Sequence, residues 1–180
     1  MDIHTLYSST VCSLKPIVWN LLTGNLWIKR YDILARLAIQ IKYHDARRIV
    51  LKGVPGMGKT TAMLQYVQYS HTQYSTIFWL NLGNHERSRV VFELFVDALI
   101  AAHANVAVLN RMTWLADWLG RRKRCLILLN DMDAPDVVED YLPSGAVGTN
   151  TVLIATSRSA TLWPVVIVVD CMLHRDAVRL

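Results

Sequence analysis

Short runs of consecutive apolar residues alternate along this chain with segments whose apolar residues recur every three to four positions. The runs fall at 48–52 (RIVLK), 76–81 (TIFWLN), 125–130 (CLILLN), 151–156 (TVLIAT) and 165–169 (VVIVV). Their centres are apolar at nearly every position rather than every second one, as in strands covered on both faces. Between them, Val91, Leu94, Phe95, Ala98, Leu99 and Ala102 share one helical face, which predicts a helix over 86–104 packed on a sheet. Trp114, Leu115 and Trp118 mark a second helix, and their spacing assigns both tryptophans to the core stripe. Ile33, Leu34, Leu37 and Ile41 mark an entry helix over 32–43, and 60–70 reads as another. Strands and helices in alternation predict an α/β fold with a five-stranded parallel sheet and helices on both faces. Residues 1–26 are the least patterned part; their Trp and Leu content predicts a docked arm, of unknown role, ahead of a domain spanning 27–180.

Composition narrows this picture. A chain of 180 residues fits one domain, burying roughly 70% of its unfolded surface. At 53% hydrophobic and 18% charged it is more apolar than the ~45–50% of an ordinary soluble domain. The excess fits a sheet covered on both sides, or a surface meant for a partner. Glu93 and Asp97 interrupt the longest apolar candidate, 90–109, so no stretch reaches the ~18 uncharged residues of a membrane span. Asp2 and the lack of a basic start argue against a secretory signal. Cys12, Cys125 and Cys171 are odd in number and far apart, the usage of reduced thiols, which predicts a cytoplasmic protein. The net charge of +5 permits attraction to acidic partners without selecting one. The densest basic run, Arg121 to Arg124, lacks interleaved aromatics; it reads as a solvated turn and argues against nucleic acid.

One segment carries specific chemistry. In LKGVPGMGKTT, Gly53, Gly58, Lys59 and Thr60 satisfy G-x-x-x-x-G-K-[ST] after a predicted strand and before a predicted helix. Glycines let the backbone curl so that successive N–H groups face phosphate oxygens, and the helix start adds its dipole. Pro55 supplies no donor, so the cradle relies on Gly56, Met57 and Gly58 onward. Lys59 is expected to bridge the β- and γ-phosphates, Thr61 to reach the α-phosphate, and the Thr60 hydroxyl to ligate Mg2+. The side chains of Pro55 and Met57 have no chemical role here.

With this loop, three further blocks, STIFWLNLGN, CLILLNDMDAPDVVEDYLP and GTNTVLIATSRS, resemble in order and spacing the nucleotide-binding core of STAND-class P-loop NTPases. The form is similar to the NB-ARC domain of fungal and bacterial NLR-like signalling proteins, with NACHT as the near alternative. The resemblance covers about 27–180 and implies a three-layer P-loop NTPase fold that binds ATP or ADP with Mg2+. It implies that the strand at 151–156 inserts between the phosphate-loop strand and the strand at 125–130, carrying Thr156, Ser157 and Arg158 to the site. Arg158 aligns with the arginine that senses the γ-phosphate. RYDILARL, from Arg30, resembles the segment opening this core, where Lys29 stands for the usual glycine of a Gly-Arg pair near the adenine. The sequence stops where the family's helical and winged-helix parts begin, so the resemblance is to the nucleotide-binding core only.

LILLNDMD then aligns with the family's metal-holding block, but its first acid position is Asn130, with Asp131 next and Asp133 two further on. An amide accepts a hydrogen bond yet brings no charge to a cation. Either the strand end turns so that Asp131 takes over, or Thr60 and the phosphates hold the metal. The candidate catalytic set is therefore Asp131, Asn130 and Arg158, with Thr60 and Asp131 for the metal. Binding is expected to outlast hydrolysis, because turnover needs a placed carboxylate. His85 and Glu86 read as a surface helix start, Asp133, Pro135 and Asp136 as a turn and helix cap, and Trp163-Pro164 as a loop plug. The leading reading is a nucleotide-binding signalling module with a protein partner or self-association and at most slow ATPase activity. The rivals are a P-loop kinase-type enzyme and a decayed fragment or decoy acting only by protein contact.

Overall fold

The computed structural model describes residues 11–13, 29–104, 107–145, 150–159 and 163–171. Its strands are β1 (Val11–Ser13), β2 (Arg48–Lys52), β3 (Thr76–Gly83), β4 (Cys125–Met132), β5 (Thr151–Ser157) and β6 (Val165–Val168). The helices are α1 (Tyr31–Tyr43), α2 (Lys59–Ser70), α3 (His85–His103), α4 (Arg111–Gly120) and α5 (Pro135–Tyr141). The strand order is β1-β3-β4-β5-β2-β6. From β3 to β6 every pairing is parallel, giving the five expected strands, with β5 between β2 and β4 as the resemblance implies. β1 adds a sixth, antiparallel strand on the β3 edge. The rest of the predicted arm lies outside the described residues.

Continuous apolar runs make sense once both faces are filled. Cys125, Ile127 and Leu129 of β4, Leu153 and Ala155 of β5 and Val50 of β2 join one core, with Phe92, Phe95, Leu115 and Val137 from α3, α4 and α5. The intervening Leu126, Leu128, Val152, Ile154, Ile49 and Leu51 join the other, against Leu37 of α1 and Met63 and Val67 of α2. Alternation along each strand thus feeds two apolar cores.

Side-chain caps fix two helix starts. The side chains of Asn84 and Asn110 accept from the N–H of Arg87 and Thr113, both at 3.0 Å, and so start α3 and α4. In α4 the core positions are Leu115 and Leu119. Trp114 and Trp118 are half-buried beside them, with ring centroids 6.2 Å apart, rather than in the centre of the stripe. Trp163 is buried, as the plug reading requires. Arg48, at the start of β2, is buried too, and its guanidinium donates to Glu139 and to the Leu142 carbonyl, tying β2 to the end of α5. Among the described residues no helix is long and apolar enough to cross a membrane.

Candidate functional site

The loop from β2 to α2 is shaped by three glycines for two reasons. Gly56 and Gly58 sit at φ +83° and +80°, in the left-handed region, with open space where a side chain would go. Gly53 is confined by packing: a Cβ there would stand 2.5 Å from the Val169 carbonyl oxygen. That contact belongs to the adjoining edge, where Val169 N–H donates to Lys52 O at 2.7 Å. On the other side, Gly53 N–H donates to Ser157 O at 3.3 Å. Gly58 then starts α2 with no side-chain cap, and the first N–H of the helical ladder belongs to Ala62, donating to Gly58 O. The N–H groups of Lys59, Thr60 and Thr61 precede that ladder, an arrangement suited to anion oxygens.

Lys59 Nζ donates to the carbonyls of Gly53 at 2.6 Å and Val54 at 2.9 Å. Burial draws its ammonium below the ordinary lysine value; Asp131 and Asp133 oppose the shift and Arg158 adds to it. Met57 turns its sulfur toward Cys171, with Sδ 3.7 Å from Sγ, so this loop side chain faces the end of the β6 segment.

Asn130, at the carboxyl end of β4, joins three strands and the helix. Its Oδ1 accepts from Thr60 Oγ1 at 2.8 Å and from Thr156 Oγ1 at 3.1 Å, while its Nδ2 donates to Asn81 Oδ1 at 3.0 Å. Asn81 is opposite Asn130 in the β3–β4 register. Sequence reasoning missed it, and the signal was a polar residue ending the neighbouring apolar run. Because Thr60 gives its proton to Asn130, its oxygen lone pairs remain for a cation. Among the described residues no group of three or more His, Cys, Asp or Glu side chains forms a metal cluster. The donor set fits a Mg2+ held chiefly by Thr60 and phosphate oxygens, as this ion usually keeps few protein ligands.

Asp131 departs from strand geometry. It is exposed at φ +57°, and its N–H donates to Thr156 Oγ1 at 2.9 Å. Its carboxylate acts electrostatically on both Lys59 and Arg158. Arg158 lies just past β5 and pairs through Nη2 with Asp133, whose carboxylate holds the guanidinium above its ordinary value. Asp133 was expected in a turn and cap, but α5 starts from Ala134 with no side-chain cap, Pro135 in the first turn and Asp136 beside it.

Among the described residues, His85 and Glu86, read from the sequence as a surface helix start, and Arg30 share no hydrogen bond with this cluster. His85 and Glu86 are exposed at the start of α3, with His85 Nε2 3.1 Å from an Asp136 oxygen. Arg30 is buried at the head of α1; it pairs with Asp32 at 2.9 Å and donates to the Asp170 carbonyl at 3.1 Å, while its N–H donates to Gln65 of α2 at 3.0 Å.

A parallel sheet with β5 inserted between the phosphate-loop strand and β4, a left-handed glycine turn and a Lys-Thr pair opening the next helix define an α/β fold of the P-loop type. No protein-family model and no curated protein matches the sequence. Among solved structures the chain is similar to C. elegans PCH-2, with 19% identity, a TM-score of 0.44, and coverage of 79% of this chain and 42% of that one. It is also similar to a chain of the E. coli MS115-1 HORMA:CdnC:Trip13 complex, with 14% identity, a TM-score of 0.44, and 79% and 54% coverage. For Rhizobiales Trip13 the identity is 19%, the TM-score 0.33 and the coverage 78% and 55%. This chain therefore spans about half the length of these solved chains. The assignment of class rests on the strand order and the loop geometry.

Proposed function

We propose that this chain is the nucleotide-binding module of a STAND-class, NB-ARC-like signalling protein, taking ATP or ADP with Mg2+ and turning ATP over slowly or not at all. The four ordered sequence blocks support the family reading. The observation carrying the nucleotide reading is the loop itself, where left-handed Gly56 and Gly58 deliver an uncapped helix start beside Lys59 and Thr60. In this reading Gly53 to Thr61 hold the phosphates and Thr60 holds the metal. Bound Mg2+ would supply charge neutralisation for the phosphates.

The expectation of slow turnover comes from Asn130. It orients the Thr60 hydroxyl as an aspartate would, but without a charge. Asp131 is the carboxylate left to order a water, and it stands on an exposed residue with a left-handed φ near the end of β4. Following helical parts, on this or another chain, are the expected protein partner that reads the nucleotide state.

Isothermal calorimetry tests the reading. ATP and ADP are expected to bind the wild-type chain, and Lys59→Ala is expected to abolish both heats. Unchanged affinity in that variant refutes the site. A chain that binds neither nucleotide, with no thermal shift where ~100 times the dissociation constant should add ~2.7 kcal/mol, favours the decoy reading.

A further inference from the structure

Both cations of the site are engaged, but by unequal partners. Lys59 rests on two neutral carbonyls, of Gly53 and Val54. Arg158 is held by a full charge, the Asp133 carboxylate. Asp131 acts electrostatically on both cations. Phosphate oxygens can replace carbonyls around an ammonium without separating an ion pair. At the Arg158 guanidinium they compete with Asp133, which engages it through Nη2.

The local build makes Asp133 the fixed partner. Met132 before it and Ala134 after it are buried, and Pro135 opens α5 directly behind. The Asp133 side chain is 24% exposed against 55% for Arg158. No α5 cap competes for the carboxylate. Arg158 sits instead at an exposed turn, where Ser159 N–H donates to Ser157 Oγ at 3.3 Å, on a long side chain able to swing between two acceptors.

We propose that Asp133 is a specificity-determining residue: it latches Arg158 in an ion pair that competes with the γ-phosphate, and so sets how strongly this site distinguishes ATP from ADP. The inference rests on the nucleotide reading given above. ATP exchanges one anionic partner of Arg158 for another and loses part of its gain in breaking the old pair. ADP lacks the γ-oxygens and leaves the latch closed. Exposed ion pairs of this kind correspond to about two- to fivefold in an equilibrium constant, which is the expected size of the effect.

The test is calorimetric titration of Mg-ATP and Mg-ADP into the wild-type chain, Asp133→Asn, Asp133→Glu, Arg158→Ala and the Asp133→Asn/Arg158→Ala double variant. Asp133→Asn is expected to raise the preference for ATP over ADP by about two- to fivefold, whereas Asp133→Glu keeps the wild-type ratio. Arg158→Ala should weaken ATP more than ADP, and in that background the Asn substitution should leave the ATP:ADP ratio unchanged. A merely structural Asp133 would shift both nucleotides together. If both nucleotides bind the wild type and the ATP:ADP ratio is the same in Asp133→Asn, the latch is wrong and the nucleotide reading stands. If neither the wild type nor Asp133→Asn binds either nucleotide, both fall. Should the Asn variant not fold, Asp133→Ser carries the same expectation.

Discussion

Asn130 places two hydroxyl protons on one amide oxygen and directs its N–H at a second amide. An aspartate at that position would offer Thr60 and Thr156 the same acceptor and add a full negative charge. Its other oxygen would meet Asn81, whose amide can turn over and donate instead of accepting. The substitution is therefore sterically and electrostatically accommodated. Outer partners of a metal site typically shift affinity or activity by ~10–100-fold. Asn130→Asp is accordingly expected to raise Mg2+-dependent ATP turnover by on the order of tenfold, read as phosphate release. No gain at saturating Mg2+ and ATP would count against the role given to this amide. The loop residues were legible because phosphate binding demands fixed residue types at fixed spacing. Asn81 was hidden because it meets Asn130 through strand register, 49 positions away. Asp133 was misread because D-A-P-D is cap-like in composition, while its carboxylate is taken by Arg158, 25 positions along.

Among the elements, the phosphate loop is the one whose shape depends on both conformation and packing. Alanine at Gly58 would meet open space but must hold a left-handed φ, a strain of about 1–2 kcal/mol. Alanine at Gly53 would drive a methyl into the Val169 carbonyl and push the β2 and β6 segments apart. Differential scanning calorimetry should therefore show Gly58→Ala melting a few degrees lower, at about 2–4 °C per kcal/mol, with Gly53→Ala losing more. Equal losses would mean that the Val169 contact relaxes freely. Strands were readable from their apolar runs, since burial on both faces leaves few polar positions inside. The tryptophans of α4 were not: the periodicity located the helix, but its innermost line runs through Leu115 and Leu119, and the large indoles fill its flanks. β1 had no chance of being read, because three residues carry no period.

Across the whole molecule, the order of the parallel sheet was legible only through the resemblance, since pattern alone does not say which strand lies beside which. The register supplies what the pattern lacked. β2 has no sequence neighbour beside it: Arg48 is opposite Leu153, and Ile49 is opposite both Ile154 and Val165. The cradle that follows β2 leans on the same late strands, through Ser157 O on one side and Val169 on the other. Non-local pairing of this kind is slow, because loop-closure entropy must be met before any contact rewards it. By contrast β3, α3 and β4 are consecutive strand–helix–strand elements with α4 between the last two, and they can pair among themselves early. In refolding from denaturant, recovery of ATP binding is expected to lag behind far-UV circular dichroism; coincident recovery would mean that β2 docks as early as its neighbours. During synthesis the phosphate loop emerges before β3 but waits, shapeless, for β5 and β6. The part of the sequence that announces itself most clearly is thus among the last to become a site.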